Sequence, residues 1–264
     1  VTESRAIALT IAGSDSGGAA GIQADLKTFH AFGVYGTSVV TAITAQNTLG
    51  VSAVHLVPLE VVRAQIDTVV SDLRPAAVKT GMLATGDLVS AVAEAVSRHR
   101  LDQYVLDPVM VATSGDRLLD REAEDSLRAG LVPLARLVTP NLHEAGILTG
   151  RTVNTLSDMR TAARALVDMG AKAALLKGGH LQGEAVDLLW DGTEERLWRK
   201  PRLDTRHTHG TGCTLSAAVA AGLALGAPLL DAVDRAVRWV ARAIETAPGL
   251  GSGHGPVNHF APLD

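Results

Sequence analysis

Residues 209–216 read His-Gly-Thr-Gly-Cys-Thr-Leu-Ser and run into an alanine-rich stretch. Glycines where a loop enters a helix let backbone N–H groups approach an anion closely, and the helix dipole favours negative charge there. Gly210, Thr211, Gly212 and Cys213 therefore fit a catalytic cradle for developing negative charge, with a thiol base at its edge. A helix start is also expected to lower the pKa of Cys213 and raise its thiolate fraction. The same residues fit a tightly packed helix start with an inert thiol, and at this level both readings stand. No Gly-Lys-Ser/Thr occurs, so the segment is not a P-loop. Gly210-x-Gly212 lacks a third glycine and a following strand, so it is a poor dinucleotide fingerprint.

A second glycine-rich segment spans Gly13 to Gly21, with four glycines in nine residues. It permits close backbone approach to a ligand, and equally a flexible turn in which Asp15 or Ser16 caps a helix. Asp25 follows one helical turn on and, alone, reads as a solvated carboxylate. Asp107, Asn141 and Glu144 form a sparse acidic and amide set. Asn141 and Glu144 share a helix face, or form a cap. Mg²⁺ takes one or two carboxylates and completes its shell with water and phosphate, so this set suits magnesium better than zinc. His207 and His209 read as loop histidines. Lys177 ends the apolar run Ala173–Leu176 before Gly178-Gly179, which suits a phosphate contact, with a surface turn lysine as the plainer alternative.

These residues need a scaffold, and the periodicity supplies one. Strand-like runs at Ile7–Ala12, Ser38–Ala45, Val51–Val57, Ala76–Lys79, Tyr104–Leu106, Leu137–Val138 and Ala173–Leu176 alternate with helical patterns. The helices are expected at Gly21–Phe32, Leu59–Leu73, Leu88–His99, Ala123–Leu131, after Pro140-Asn141, and at Met159–Met169. Val186–Trp190 and Arg196–Lys200 flank the hairpin signal Asp191-Gly192, and two helices close the chain from about Cys213 and Leu229. Strands alternating with helices imply a mostly parallel sheet covered on both faces, in one domain spanning residues 1–264. Ligands bind such sheets beyond the carboxyl ends of the strands. Ser14, Asp15, Gln46, Asn47, Lys79, Asp107, Asn141, Glu144, Lys177 and His180 stand at those ends.

Composition excludes several classes. The chain has 264 residues, 47% hydrophobic and 20% charged, as a globular protein does. Aromatics are 3% and net charge is −4, so neither a base-stacking platform nor a basic footprint for nucleic acid is present. One cysteine excludes an internal disulfide and suits a reducing cytoplasm. The N-terminal run lacks a signal-peptide layout. The uncharged stretch Gly210–Leu230 is long enough to cross a bilayer, yet its threonines, glycines and Pro228 favour a buried helix with its loops.

Taken together, the motifs resemble one family. Ala8-Leu-Thr-Ile-Ala-Gly-Ser-Asp-Ser-Gly-Gly-Ala-Ala-Gly-Ile-Gln-Ala-Asp-Leu-Lys-Thr28, Thr44-Ala-Gln-Asn-Thr48, Lys79-Thr-Gly-Met-Leu83 and Leu106-Asp-Pro-Val-Met110 occur in order. Thr139-Pro-Asn-Leu-His-Glu144, Leu176-Lys-Gly-Gly-His180, Thr208–Ser216 and Gly253–His259 follow. The set resembles hydroxymethylpyrimidine/phosphomethylpyrimidine kinases over nearly the whole chain. The resemblance implies a ribokinase-like three-layer α/β/α sandwich. It implies ATP-dependent phosphorylation of 4-amino-5-hydroxymethyl-2-methylpyrimidine to the monophosphate and then the diphosphate, for thiamine diphosphate biosynthesis. It also implies site roles. Gln46, Asp25 and Gly13 would meet the polar atoms of the pyrimidine, with Met82 and Val109 as apolar walls. Lys177, Thr208 and Asn141 would meet ATP and its phosphates. Asp107 and Glu144 would serve Mg²⁺, and Gly210 to Cys213 would form the anion hole. A cytoplasmic homodimer with no membrane or nucleic-acid partner is implied, and a lid is expected at Ala112–Asp116, just after Met110. Pyridoxal, another hydroxymethylated nitrogen ring, is the closest competing substrate.

Overall fold

The computed structural model describes residues 5–110, 121–179 and 184–263. The lid expected at Ala112–Asp116, and His180, lie outside them.

The chain opens with strand β1 (Ile7–Asp15) and helix α1 (Gly21–Ala31), followed by β2 (Tyr35–Asn47), β3 (Gly50–Leu56) and α2 (Leu59–Leu73). Next come β4 (Ala77–Thr80), α3 (Gly86–Arg98), β5 (Tyr104–Leu106), α4 (Arg121–Ser126), β6 (Leu137–Val138), α5 (Leu142–Thr149) and α6 (Leu156–Asp168). Strands β7 (Ala174–Gly178), β8 (Ala185–Trp190) and β9 (Glu195–Lys200) precede α7 (Thr211–Ala224) and α8 (Leu229–Glu245). The described strands form one nine-stranded sheet in the order β3-β2-β1-β4-β5-β6-β7-β8-β9. Strands β2 to β7 in that order are parallel, while β3 at one edge and β8 and β9 at the other are antiparallel.

Alternation along each strand divides the interior into two cores. Leu9, Tyr104, Leu106 and Leu176 point to one face, where they meet Val62, Val89 and Met159 of α2, α3 and α6. Ala8, Val105 and Leu175 point to the other, where they meet α1, α7 and α8 through Phe29, Val219 and Trp239. Period-two burial on both faces makes the three-layer α/β/α sandwich.

The uncharged stretch 210–230 contains α7. Every residue from Thr214 to Ala224 is buried, since α7 lies between the sheet and α8. A Cβ on Gly222 would lie 2.8 Å from the Ala232 Cβ, so a small residue there lets the two helices meet. Among the described residues, no helix is long and apolar enough to cross a membrane. One helix departs from the periodicity. The pattern from Ala123 to Leu131 widens into a π-turn at Leu127–Leu131, where the Arg128 guanidinium bonds the Ile147 and Leu148 carbonyls of α5.

Candidate active site

The carboxyl ends of β1, β4, β5 and β7 converge with the N-terminus of α7 on one cleft of about 730 Å³. Gly13, Gln46, Met82, Asp107, Val109, Asn141, Glu144, Lys177, Thr208, Gly210, Thr211, Gly212 and Cys213 all line it.

Gly210 is held at φ +80°, and a Cβ there would stand 1.7 Å from the Ala19 carbonyl oxygen. Only glycine allows that approach, which docks the start of α7 onto the first glycine-rich loop. A Cβ on Gly212 would lie 3.1 Å from Lys177 Nζ and 3.9 Å from Asp107 Oδ2. The glycine therefore opens the helix start towards the half-buried Lys177 cation and the buried Asp107 carboxylate. First-turn N–H groups have no partner inside their own helix, so this end attracts an anion.

Lys177 Nζ donates to Asp107 Oδ1 at 3.0 Å and lies 3.9 Å from Glu144 Oε2. Ser216 Oγ, one helical turn into α7, donates to Asp107 Oδ2 at 3.1 Å. Burial alone would raise the Asp107 carboxyl, but Lys177 and Lys79 outweigh it and hold it below the ordinary range. Burial also works against the Lys177 cation, yet Asp107 and Glu144 raise it above its usual value. Glu144 goes the other way: burial pushes it up to about 7 against the pull of Lys177. Asn141 and Glu144 close a capping box on α5, with Glu144 N–H donating to Asn141 Oδ1 at 2.9 Å and Asn141 N–H to Glu144 Oε2 at 2.7 Å. Cap and cleft wall are thus the same residues.

Two readings need correction. Asp25 does not reach the cleft. Its carboxylate is fully buried, takes both bonds from Lys79 Nζ at 2.8 and 2.9 Å, and accepts from Thr10 Oγ1 at 2.6 Å. A carboxylate sealed and satisfied in this way cannot contact a ring in the cleft. Cys213 is half-buried, and its thiol is not depressed. Burial pushes it up to about 11; Lys79 pulls it down, while the Asp25 and Asp107 carboxylates push it further up. Desolvation and two carboxylates outweigh Lys79 and the Gly21 backbone.

Sequence reasoning also missed a residue. His209 is no ordinary loop histidine: it is buried, bridges to Pro256, and places Nε2 3.4 Å from Asp15 Oδ2 and 3.1 Å from Gln46 Nε2. Burial raises Asp15, but hydrogen bonds from His209, Ala20 and Gly17 hold it below the usual range. The signal was its position beside Gly210, which any docking of that glycine must carry along. Asp187 and Lys200, paired at 2.7 Å, also line the cleft.

Among the described residues no group of three or more His, Cys, Asp or Glu is placed to hold a metal ion by itself. Two carboxylates facing a cleft with a lysine between them suit an oxygen-seeking ion that brings its own water and phosphate ligands.

A parallel α/β/α sandwich with a lysine, a carboxylate pair and a glycine-opened helix start at its strand ends is a ribokinase-like small-molecule kinase. The chain belongs to the phosphomethylpyrimidine kinase family, whose model matches residues 15–258. It is 56% identical over 261 residues to the hydroxymethylpyrimidine/phosphomethylpyrimidine kinase of Rhizobium meliloti, covering 97% of each chain. Among solved structures it is similar to an ADP complex of Bacillus subtilis pyridoxal kinase, at TM-score 0.92 and 40% identity over 98% of each chain. It is also similar to a phosphomethylpyrimidine kinase from Clostridium difficile, at TM-score 0.82 and 42% identity over 91% of this chain and 100% of that one.

Proposed function

We propose that the protein phosphorylates 4-amino-5-hydroxymethyl-2-methylpyrimidine twice, with ATP as donor, on the way to thiamine diphosphate. In the first reaction the 5-hydroxymethyl oxygen bonds to the γ-phosphorus, the bond to the β–γ bridging oxygen breaks, ADP leaves and the hydroxyl gives up its proton. In the second, an oxygen of the new monophosphate attacks a second ATP in the same way and has no proton to lose. The observation that carries this reading is the meeting of Lys177, Asp107 and the α7 N-terminus at one point of the cleft. Phosphoryl transfer has a loose transition state, so positioning and neutralisation dominate, and this junction supplies both.

Gly13 and Gln46 would meet the polar edge of the pyrimidine, with Met82 and Val109 against its ring. Lys177, Thr208 and Asn141 would meet the nucleotide phosphates, and Gly210 to Cys213 the transferring group. Asp107 and Glu144 would hold Mg²⁺, which when bound neutralises phosphate charge. The single domain would work as a cytoplasmic homodimer, which light scattering on purified protein tests.

Pyridoxal is the second reading, favoured by the similarity to the Bacillus subtilis pyridoxal kinase. The deciding experiment incubates purified protein with ATP and Mg²⁺ and, separately, the pyrimidine, its monophosphate and pyridoxal, with product masses read directly. Two successive gains of one phosphoryl group on the pyrimidine are expected. Turnover of pyridoxal alone would overturn the assignment.

A further inference from the structure

At the Gln46 end of the cleft, four polar side chains form a chain that phosphoryl transfer leaves unused. Asp15 Oδ2 accepts from the Ala19 and Ala20 N–H groups at 3.0 and 2.8 Å and lies 3.4 Å from His209 Nε2. The same Nε2 is 3.1 Å from Gln46 Nε2, and on the far side Gln46 Oε1 is 3.0 Å from Thr44 Oγ1. The backbone of Gln46 is fixed by Ser16, whose hydroxyl donates to its carbonyl and accepts from its N–H, both at 2.9 Å. His209 is fixed by its N–H on the Gly255 carbonyl at 3.1 Å.

Hydrogen-bond chemistry at both ends of this chain constrains the carboxamide between them. An ionised Asp15 only accepts, so the His209 nitrogen facing it carries a proton. The Ser14 carbonyl only accepts as well, and Thr44 Oγ1 donates to it at 3.0 Å. A hydroxyl has one proton to share between Ser14 and Gln46; given to Ser14, it leaves a lone pair towards Gln46, the reverse of the donor that Oε1 meets there as placed. A protonated nitrogen on one side and a lone pair on the other require the amide oxygen towards His209 and the amide nitrogen towards Thr44. Half a turn of the carboxamide exchanges the two without moving any other atom.

We propose that His209 is a specificity-determining positioning residue: its Nε2–H, directed between Asp15 and Gln46, locks the Gln46 carboxamide with Oε1 towards the imidazole and Nε2 towards Thr44. This rests on the reading that Gln46 meets the ring's polar edge. One lone pair and one N–H of the amide then face the cleft in fixed order. A 4-aminopyrimidine edge presents a donor beside an acceptor and matches that order. Its 4-oxo counterpart presents an acceptor beside a ring N–H and matches only the reverse. A glutamine free to turn would accept either, so the imidazole is what makes the cleft choose the amine.

The test compares kcat/KM for hydroxymethylpyrimidine and its 4-oxo analogue in wild type, His209→Leu, His209→Gln and Gln46→Leu. His209→Leu lowers the amino-to-oxo ratio by about tenfold or more, because the unpaired-group penalty that rejects the analogue is lost. The KM for ATP stays put, and His209→Gln, which keeps a donor at the same reach, restores much of the ratio. An unchanged ratio in His209→Leu, with Gln46→Leu impaired, would overturn the lock and leave the pocket reading intact. Unimpaired Gln46→Leu would overturn both. Should the leucine variant not fold, proton–proton contacts of the Gln46 side-chain amide in the wild type decide. Amide protons close to Thr44 support the lock, and amide protons close to the His209 ring overturn it.

Discussion

Lys79 Nζ lies 2.8 and 2.9 Å from the two carboxylate oxygens of Asp25, and both side chains are sealed from solvent. The pair joins β4 to α1, the helix that follows the first glycine-rich loop. Its field reaches the cleft, for Lys79 holds down both the Asp107 carboxyl and the Cys213 thiol.

Removing one partner strands the other charge. Lys79→Met is expected to cost roughly 3–5 kcal/mol in urea unfolding, because Asp25 is left buried and uncompensated. The double variant Lys79→Met/Asp25→Leu recovers most of that loss. Equal losses in the single and double variants would show that packing, not charge, matters at this junction.

With its thiol pushed up to about 11, Cys213 is protonated at neutral pH. If it takes the hydroxyl proton, the first phosphorylation speeds up as pH rises above 7, and Cys213→Ala removes that rise. The second phosphorylation, whose nucleophile is already ionised, stays flat and loses far less in the variant. Separate rate–pH profiles for the two steps check this. Equal losses on both leave Cys213 as part of the anion cradle only.

Glu144 titrates near 7 in the folded protein and near the ordinary carboxylate value when unfolded. Between those values the folded state holds the extra proton, so stability falls as pH rises through the window. Glu144→Gln should therefore unfold at a higher temperature than wild type at pH 8 without ligands, and the gap should narrow by pH 5. Its Mg²⁺-dependent turnover should drop. Lower stability of the variant at pH 8 would contradict the burial penalty.

His259 works in the opposite sense. Burial, with help from Lys27, pushes its pKa down to about 4, and its Nε2 lies 3.1 Å from Thr214 Oγ1. The unfolded chain takes up a proton that the folded one refuses, so stability present above pH 6.5 is lost as pH falls towards 4. Between pH 7 and pH 5 the loss should be roughly 2 kcal/mol. Urea midpoints for wild type and His259→Phe at both pH values measure it, and parallel losses would sink the assignment.

What the chain revealed before folding follows from the range of the interactions involved. Leu59–Leu73 and Tyr104–Leu106 keep their boundaries because periodicity and neighbouring turn residues act locally. Lys177, Asp107 and Gly212 were legible because each follows an apolar run or opens a helix, and strand ends of a parallel sheet meet at one place. Asp25 was not, because its partner Lys79 is 54 residues away and no local pattern pairs them. The thiol of Cys213 was misjudged for a related reason. Its helix start is visible in sequence, whereas the depth of burial and the carboxylates of Asp25 and Asp107 come from other strands and helices.

The C-terminal segment sets the order in which the site can be made. His254 N–H holds the Thr48 carbonyl at 2.8 Å, Gly255 receives the His209 N–H, and Asn258 N–H ties to Ala243. During synthesis, the sheet from β1 to β7 can assemble while these residues are still inside the ribosome. The wall of the cleft around His209 and Thr48 is tied down only when residues 254–258 arrive. The parallel strands can therefore be in place well before the cleft is, and the loop that carries His209 waits for residues more than forty positions further along the chain.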